Sequence, residues 1–483
     1  MNTQIRRLGV VLVVLFCALF VQLNWLQVID ANDLNNHPAN SRAVVRDFIQ
    51  PRGNIQTADG MLIAESVPSG DSFKVQRRYP QGDLYSHITG YFSFTYGSEG
   101  VEREYNDALT GTISKSGFDP RDLLVEKDKT ANVTLTINSK LQQIATEQLG
   151  DRKGSVVAID PRTGGILAFA DYPRYDPNTL ASHHQDAVRQ AWTELNADDG
   201  KPLLPRTYRE RYPPGSSFKV VTAATGLATG TATPAMPVYP NLKELPLPNA
   251  GGQTLANFGG GTCGGNLVDA LRVSCNTAFA QLGLDLGAQK LSAGAEAFGF
   301  NKVPPIDLPF GAAAFFPPAS SFARDLPGVA KSAIGQQDVS ATPLQMALVA
   351  AGIANNGVIM TPHLLAEVRN SEGEVIKSYD NKPWLTAVPA NVAQQTRDMM
   401  VGVVAGGSGS RAQIPGVAVA GKTGTAQTGR DQSHVWFIAF APAEAPRIAV
   451  AVMLENQPSL TEVTGGALAA PIAAAVIRAA LAS

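Results

Sequence analysis

The stretch Pro213-Pro214-Gly215-Ser216-Ser217-Phe218-Lys219-Val220-Val221 sets a serine and a lysine three positions apart at the start of a helix. Pro-Pro-Gly is unsuited to a helix interior, while Ser217 through Ala224 is apolar and helix-tolerant. Residues i and i+3 share a helix face, so the spacing predicts Ser216 Oγ and Lys219 Nζ within hydrogen-bond reach. A serine hydroxyl is a weak nucleophile near neutral pH until a base takes its proton. A lysine serves as that base when a dry, cation-lined pocket lowers its pKa. Backbone N–H groups at a helix N-terminus suit a developing oxyanion. Taken alone, the pattern is more often an N-cap serine beside a solvated lysine.

Two later stretches change its weight. Ser274-Cys275-Asn276 follows the helix-like 267–273, and Lys422-Thr423-Gly424-Thr425-Ala426 precedes the strand-like 434–440. S-x-x-K, S-x-N and K-T-G in this order form the signature of serine penicillin-recognising enzymes. The chain resembles the class B penicillin-binding proteins, monofunctional peptidoglycan D,D-transpeptidases, and is nearest their shorter actinobacterial members. The resemblance implies an α/β (α+β) transpeptidase fold, with a five-stranded antiparallel sheet between helical layers. It also implies a serine acyl-enzyme formed on the D-Ala–D-Ala end of a stem peptide, and covalent inhibition by β-lactams. Ser216 would be the nucleophile and Lys219 its base. Ser274 and Lys422 would carry the proton to the leaving amine, and Asn276 would hold Lys219 and the stem-peptide amide. Thr423, Gly424 and Thr425 would receive the substrate, Gly424 by permitting close approach. The N–H groups of Ser216 and Thr425 would form the oxyanion hole. A SEDS-type glycosyltransferase is the partner the family implies.

The rest of the chain fits this outline. Of its 483 residues, 44% are hydrophobic and 17% charged, enough for two or three domains with sizeable cores. A net charge of −2, with no basic stripe bearing aromatics, argues against a nucleic-acid partner. Arg6 and Arg7 precede an apolar run, so residues 1–7 read as a cytoplasmic tail and 8–28 as an uncleaved membrane anchor. The remainder would lie outside the cytoplasm. No second long apolar run is apparent. Residues 29–133 read as a separate pedestal, carrying Arg52-Gly53-Asn54-Ile55 and Gly97-Ser98-Glu99-Gly100-Val101-Glu102, both similar to family segments. Those segments read as turns and inter-domain packing, with Glu99 and Glu102 a pair of surface acids. Residues 134–483 read as the transpeptidase domain. It opens with a strand near Val133–Ile137, a helix over Ser139–Leu149, and a hairpin around Pro161-Arg162-Thr163-Gly164. Asp176 and Asn178 read as local turn-formers, and Thr342-Pro343 as a helix start.

Two departures from the family pattern stand out: Cys275 inside S-x-N, and Pro205 where Leu203-Leu204-Pro205-Arg206 would carry asparagine. Cys17 falls in the anchor, leaving Cys263 and Cys275 as the exported cysteines. They read either as a disulfide closing a loop of about a dozen residues or as two free thiols. The histidines have no metal-ligand spacing, and no phosphate-binding loop is present, so neither metal nor cofactor is expected. Three alternatives compete: a β-lactamase, a membrane-bound β-lactam sensor and a non-catalytic scaffold. A lactamase would need a deacylating glutamate, and Glu194-Leu195-Asn196 lies upstream of Ser216 without the required spacing.

Overall fold

The computed structural model describes residues 2–26, 48–111, 130–429, 431–459 and 462–482. The chain divides into two units, residues 1–51 with 67–76, and residues 52–66 with 77–483. In the first, helix α1 (Asn2–Asn24) exposes its apolar side chains along its length. It is long and apolar enough to cross a membrane. The last two residues of the expected anchor, 27 and 28, lie outside the described residues.

The second unit holds most of the expected pedestal and all of the expected transpeptidase domain. Strand β1 (Ile55–Gln56) pairs with β2 (Leu62–Pro68) and, in parallel, with β3 (Ala131–Leu135). The expected boundary between 133 and 134 therefore falls inside a strand. The short helix α2 (Gly100–Glu104) carries Glu102, which is fully buried rather than a surface acid. Its carboxylate accepts from Arg52 Nε at 3.0 Å and Arg77 Nε at 2.6 Å, and the Tyr79 hydroxyl lies 3.2 Å away. The two arginines hold the Glu102 carboxyl below its ordinary range against the upward push of burial. A buried carboxylate needs such partners, so the two family-like pedestal segments meet through Arg52 and Glu102.

After Asn138, which caps it, comes α3 (Ser139–Leu149), then the hairpin β4 (Gly154–Ile159) and β5 (Ile166–Tyr172), as the sequence predicts. Asn178 does more than bend its own turn: its amide brackets Tyr79, accepting from the N–H at 2.9 Å and donating to the C=O at 3.0 Å. Helix α4 (Lys219–Ala228) is followed by β6 (Tyr239–Leu242), the hairpin β7 (Glu244–Pro246) and β8 (Thr254–Ala256), and β9 (Cys263–Gly265), which pairs with β6. Cys263 thus lies in a two-stranded ribbon.

Helix α5 (Asn276–Ala297) breaks at Gly287, and α6 (Pro343–Ala354) starts from a Thr342 cap with Pro343 in its first turn. Strand β10 (Leu365–Asn370) pairs with β3 and with β11 (Val375–Ser378), so the pedestal sheet takes strands from both sides of the expected boundary. Then follow α7 (Ala390–Gly406), the long strands β12 (Ala420–Gln427), β13 (Gln432–Ala441) and β14 (Ile448–Pro458), and α8 (Ala470–Ala482).

The central sheet has the order β12-β13-β14-β4-β5, antiparallel throughout. Val435, Phe437 and Ala439 face one core with α3 and α8, while Trp436, Ile438 and Phe440 face the other with α4 and α6. Successive side chains alternate between faces. Because both faces are covered, the strand reads as a continuous apolar run rather than an alternation. Residues 465–482 form a second helical stretch long and apolar enough to span a membrane, but most of it is buried in this core. Strand β12 is an edge of the sheet, and the serine-bearing turn lies along it.

Candidate active site

Ser216 does not begin an α-helix. It sits in a 3-10 turn, Gly215–Phe218, and the α-helix starts at Lys219. Gly215 has φ +52, where L side chains are strained, and a Cβ there would come within 2.6 Å of the Thr425 carbonyl oxygen. The turn therefore lies directly on β12. The N–H and C=O of a strand residue point the same way, so Thr425 offers its N–H along the edge that faces Ser216. The Gly215 N–H donates to Gly335 O at 3.0 Å. The segment at Gly335 thus backs the serine turn on its other side.

Lys219 is fully buried. Its Nζ donates to Ser274 O and to Asn276 Oδ1, each at 2.7 Å, with Ser274 Oγ at 3.4 Å. Burial, then the nearby Lys422, lowers its pKa well below the ordinary lysine value. The expected Ser216–Lys219 hydrogen bond is not formed; the amine's N–H groups are directed to Ser274 and Asn276 instead. Ser216 Oγ opens onto the cleft, and catalytic hydrogen bonds often close only in the complex.

Ser274 has φ +61, a costly conformation for a non-glycine residue. Its hydroxyl accepts from Lys422 Nζ at 2.8 Å. Lys422 is also buried, donates to Thr423 O at 2.9 Å, and has its pKa lowered by burial to about 7. Thr423 Oγ1 is 2.8 Å from Ser408 Oγ. The three motifs thus converge: α4 supplies Lys219, the turn before α5 supplies Ser274, α5 supplies Asn276 as its first residue, and β12 supplies Lys422. Ser216, Ser274, Asn276, Thr423 and Thr425 line a cleft of about 1070 Å³.

Gly424 behaves differently from expectation. It does not line that cleft; a Cβ there would meet Pro214 O at 2.7 Å and Trp436 Cβ at 2.9 Å. Its missing side chain makes room for the serine turn. Cys263 and Cys275 are joined as a disulfide, with Cys263 on the cleft wall and Cys275 buried behind it. Among the described residues no cluster of His, Cys, Asp or Glu could hold a metal ion.

Residues 154–478 match the penicillin-binding protein transpeptidase domain, and residues 52–133 match the penicillin-binding protein A dimerisation domain. The chain belongs to the class B penicillin-binding proteins.

Similar class B proteins include the peptidoglycan D,D-transpeptidase PbpA of Mycobacterium tuberculosis, 40% identical over 100% of this chain and 99% of that one. PbpA of Mycolicibacterium smegmatis is 40% identical over the same shares of each chain. Among solved structures, a ceftriaxone acyl-enzyme complex of M. tuberculosis penicillin-binding protein A superposes with a TM-score of 0.83 at 38% identity, covering 90% of this chain and 100% of that one. The D,D-transpeptidase domain of an Eggerthella lenta peptidoglycan glycosyltransferase gives a TM-score of 0.79 at 37% identity, over 90% and 98%.

Sequence reading missed the supports of this class B site. Arg206, beside the divergent Pro205, is buried and donates from Nε to Glu455 at 2.7 Å. Tyr212, four residues before Ser216, donates to the same carboxylate. Trp436 Nε1 donates to Pro213 O at 2.9 Å. Asn257 reaches the S-x-N segment from the β8 side. Only the Arg206 position carried any signal, through the departure at its neighbour.

Proposed function

We propose that this class B penicillin-binding protein cross-links peptidoglycan as a D,D-transpeptidase, with Ser216 as nucleophile and Lys219 as its base. The observation that carries the reading is the hydrogen bonding of the buried Lys219. A neutral lysine amine has two N–H groups and one lone pair. Its two 2.7 Å bonds, to Ser274 O and Asn276 Oδ1, use both N–H groups. The lone pair is left for the Ser216 proton, and burial beside Lys422 favours that neutral state.

Ser216 Oγ bonds to the carbonyl carbon of the penultimate D-alanine while its proton passes to Lys219. The tetrahedral oxyanion sits between the N–H groups of Ser216 and Thr425; one such donor is worth about 3 kcal/mol. When the C–N bond breaks, the departing D-alanine amine takes a proton through Ser274, which bridges Lys219 and Lys422 at 3.4 and 2.8 Å. Thr423 and Thr425 offer hydroxyls to the terminal carboxylate, with Lys422 beneath. An acceptor amine from a second stem peptide then displaces Ser216. A β-lactam follows the first half of this path and stays attached.

Arg6 and Arg7, at the N-terminal end of α1 ahead of its apolar run, favour a cytoplasmic N-terminus with the catalytic unit outside. Family membership supports a SEDS-type glycosyltransferase as partner. The decisive test is mass spectrometry of the full chain with a fluorescent penicillin. One adduct on Ser216, absent from Ser216→Ala, is expected, and it should persist for lack of a deacylating base. Labelling of Ser216→Ala overturns the assignment, and rapid turnover of the adduct favours a lactamase.

A further inference from the structure

Helix α5 begins with a defect. Its N-cap residue is Cys275, which makes no side-chain capping bond and is held in the disulfide. The first N–H groups of a helix need an acceptor, usually an Asn, Asp, Ser or Thr side chain at the cap. Here the acceptor comes from elsewhere in the chain. Asn257 Oδ1 accepts from Asn276 N and Thr277 N, both at 3.0 Å. The other end of that amide donates to Leu242 O at 2.8 Å and Gly261 O at 3.0 Å. Those carbonyls fix which way the buried Asn257 amide points, so its oxygen must face α5.

The preceding residue completes the arrangement. Ala256 O accepts from Asn276 Nδ2 at 3.0 Å. An asparagine amide has one donor end and one acceptor end. With Nδ2 claimed by Ala256, Asn276 Oδ1 is turned to the Lys219 amine, 2.7 Å away. Two adjacent residues thus set both the position of Asn276 and the orientation of its amide.

We propose that Asn257 is a positioning residue for acylation, holding Asn276 so that its carbonyl oxygen engages the Lys219 amine. The inference rests on the assignment of Ser216 and Lys219 above. It applies to the base step, since an accepted N–H bond stabilises the ammonium form and so helps set where Lys219 titrates. The charged neighbour acting on Lys219 is Lys422 on β12. The other groups around the amine are neutral: Ser274, Asn276, Ser216 in the preceding turn, and the Phe279 ring centred 5.5 Å away.

The test measures second-order rate constants for β-lactam acylation against pH, in detergent-solubilised full chain, for native protein, Asn257→Ala, Asn257→Asp and Ser216→Ala. Asn257→Ala removes the cap, and about a tenfold loss of rate is expected, with the acidic limb moved to lower pH. Asn257→Asp keeps the acceptor for both N–H groups and loses the donors to the β6 side. It should recover much of the rate, with the acidic limb moved to higher pH by the added negative charge. Circular dichroism of each variant reports folding, and Asn257→Asp alone still decides if Asn257→Ala does not fold. Equal losses in both variants with an unmoved pH profile mean that Asn257 only holds the 242–261 segment, and the proposal fails. Rates within about threefold of native in both also overturn it. Either result with Ser216→Ala inert leaves the nucleophile assignment standing, whereas acylation of Ser216→Ala overturns that assignment itself.

Discussion

Gly215→Ala is the smallest change that probes how Ser216, the proposed nucleophile, is held. A residue at φ +52 that is not glycine costs about 1–2 kcal/mol in backbone strain. The added methyl would also sit 2.6 Å from Thr425 O, where ordinary contact begins at 3.4 Å. Relief requires the serine turn and β12 to separate by about 0.8 Å, and a misplacement near 1 Å costs a reaction on the order of 100-fold. The same movement parts the two N–H groups proposed for the oxyanion, whose loss is valued at about 10²–10³ in rate. Gly230→Ala is the matched control: its φ is +66 and nothing lies within 4 Å of the new Cβ. Both variants should lose stability in denaturant titrations, Gly215→Ala the more. In stopped-flow acylation by a fluorescent penicillin, Gly230→Ala should match native, while Gly215→Ala falls about 100-fold. If Gly215→Ala acylates within about threefold of Gly230→Ala, contact between turn and strand does not govern the geometry of attack.

Other outcomes follow from the same site. Lys219→Arg keeps the charge but cannot be neutral, so acylation monitored by gel fluorescence should vanish; near-native labelling would remove Lys219 as base. Burial lowers the pKa of Lys422 to about 7, so from there upward the folded chain binds fewer protons than the unfolded one, whose lysine titrates near 10.5. Stability should therefore rise with pH between about 7 and 9.5, below the range where tyrosines titrate, and on denaturant titration Lys422→Met should make the rise shallower without abolishing it, because buried Lys219 acts in the same sense. Below pH 7 both states are protonated and the full cost of the buried charge is present. Reduction of Cys263–Cys275 releases a constraint across 12 residues, worth about 3 kcal/mol in the chain-entropy model. Because Cys275 lies between Ser274 and Asn276, acylation should slow at dithiothreitol concentrations that leave the circular dichroism unchanged; an unaltered rate after alkylation of both thiols would count against the coupling.

What the sequence disclosed, and what it withheld, divide along a physical line. The helix at Ser139–Leu149, the β4–β5 hairpin and the Thr342-Pro343 helix start are local, and turn chemistry or periodicity within a few residues announces each. The S-x-x-K, S-x-N and K-T-G motifs are also short and local, and so were legible one by one. Their supports are not local. Arg52 meets Glu102 across 50 residues, Arg206 meets Glu455 across 249, and Asn257 meets Asn276 across 19. A buried charge looks like a surface charge until its partner is known, which is why Glu102 read as a surface acid. The apolar helix near the C-terminus shows the same limit: composition permits a membrane span, and only packing against the sheet decides otherwise.

Glycine in the motifs carries a related lesson. Gly424 reads as a place for substrate to approach, because a strand beside a cleft commonly spares its side chain for a ligand. In the structure the approaching group is the chain's own Pro214 carbonyl, 2.7 Å from the missing Cβ. On the far side of the turn, a Cβ on Gly335 would collide with Gly215 O. The Ser216 turn is therefore held between two backbone segments, 120 and some 210 residues further along the chain, with no side chain on any of the three glycines to keep them apart. Contacts between backbones leave little slack, because main chain cannot change rotamer to accommodate a shift. That stiffness suits the proposed role of Ser216, which would meet an oxyanion site formed partly by its own turn and partly by β12. The glycines of all three segments thus serve one geometry, and a methyl group on any of them should act on the rate of attack more than on recognition of the stem peptide.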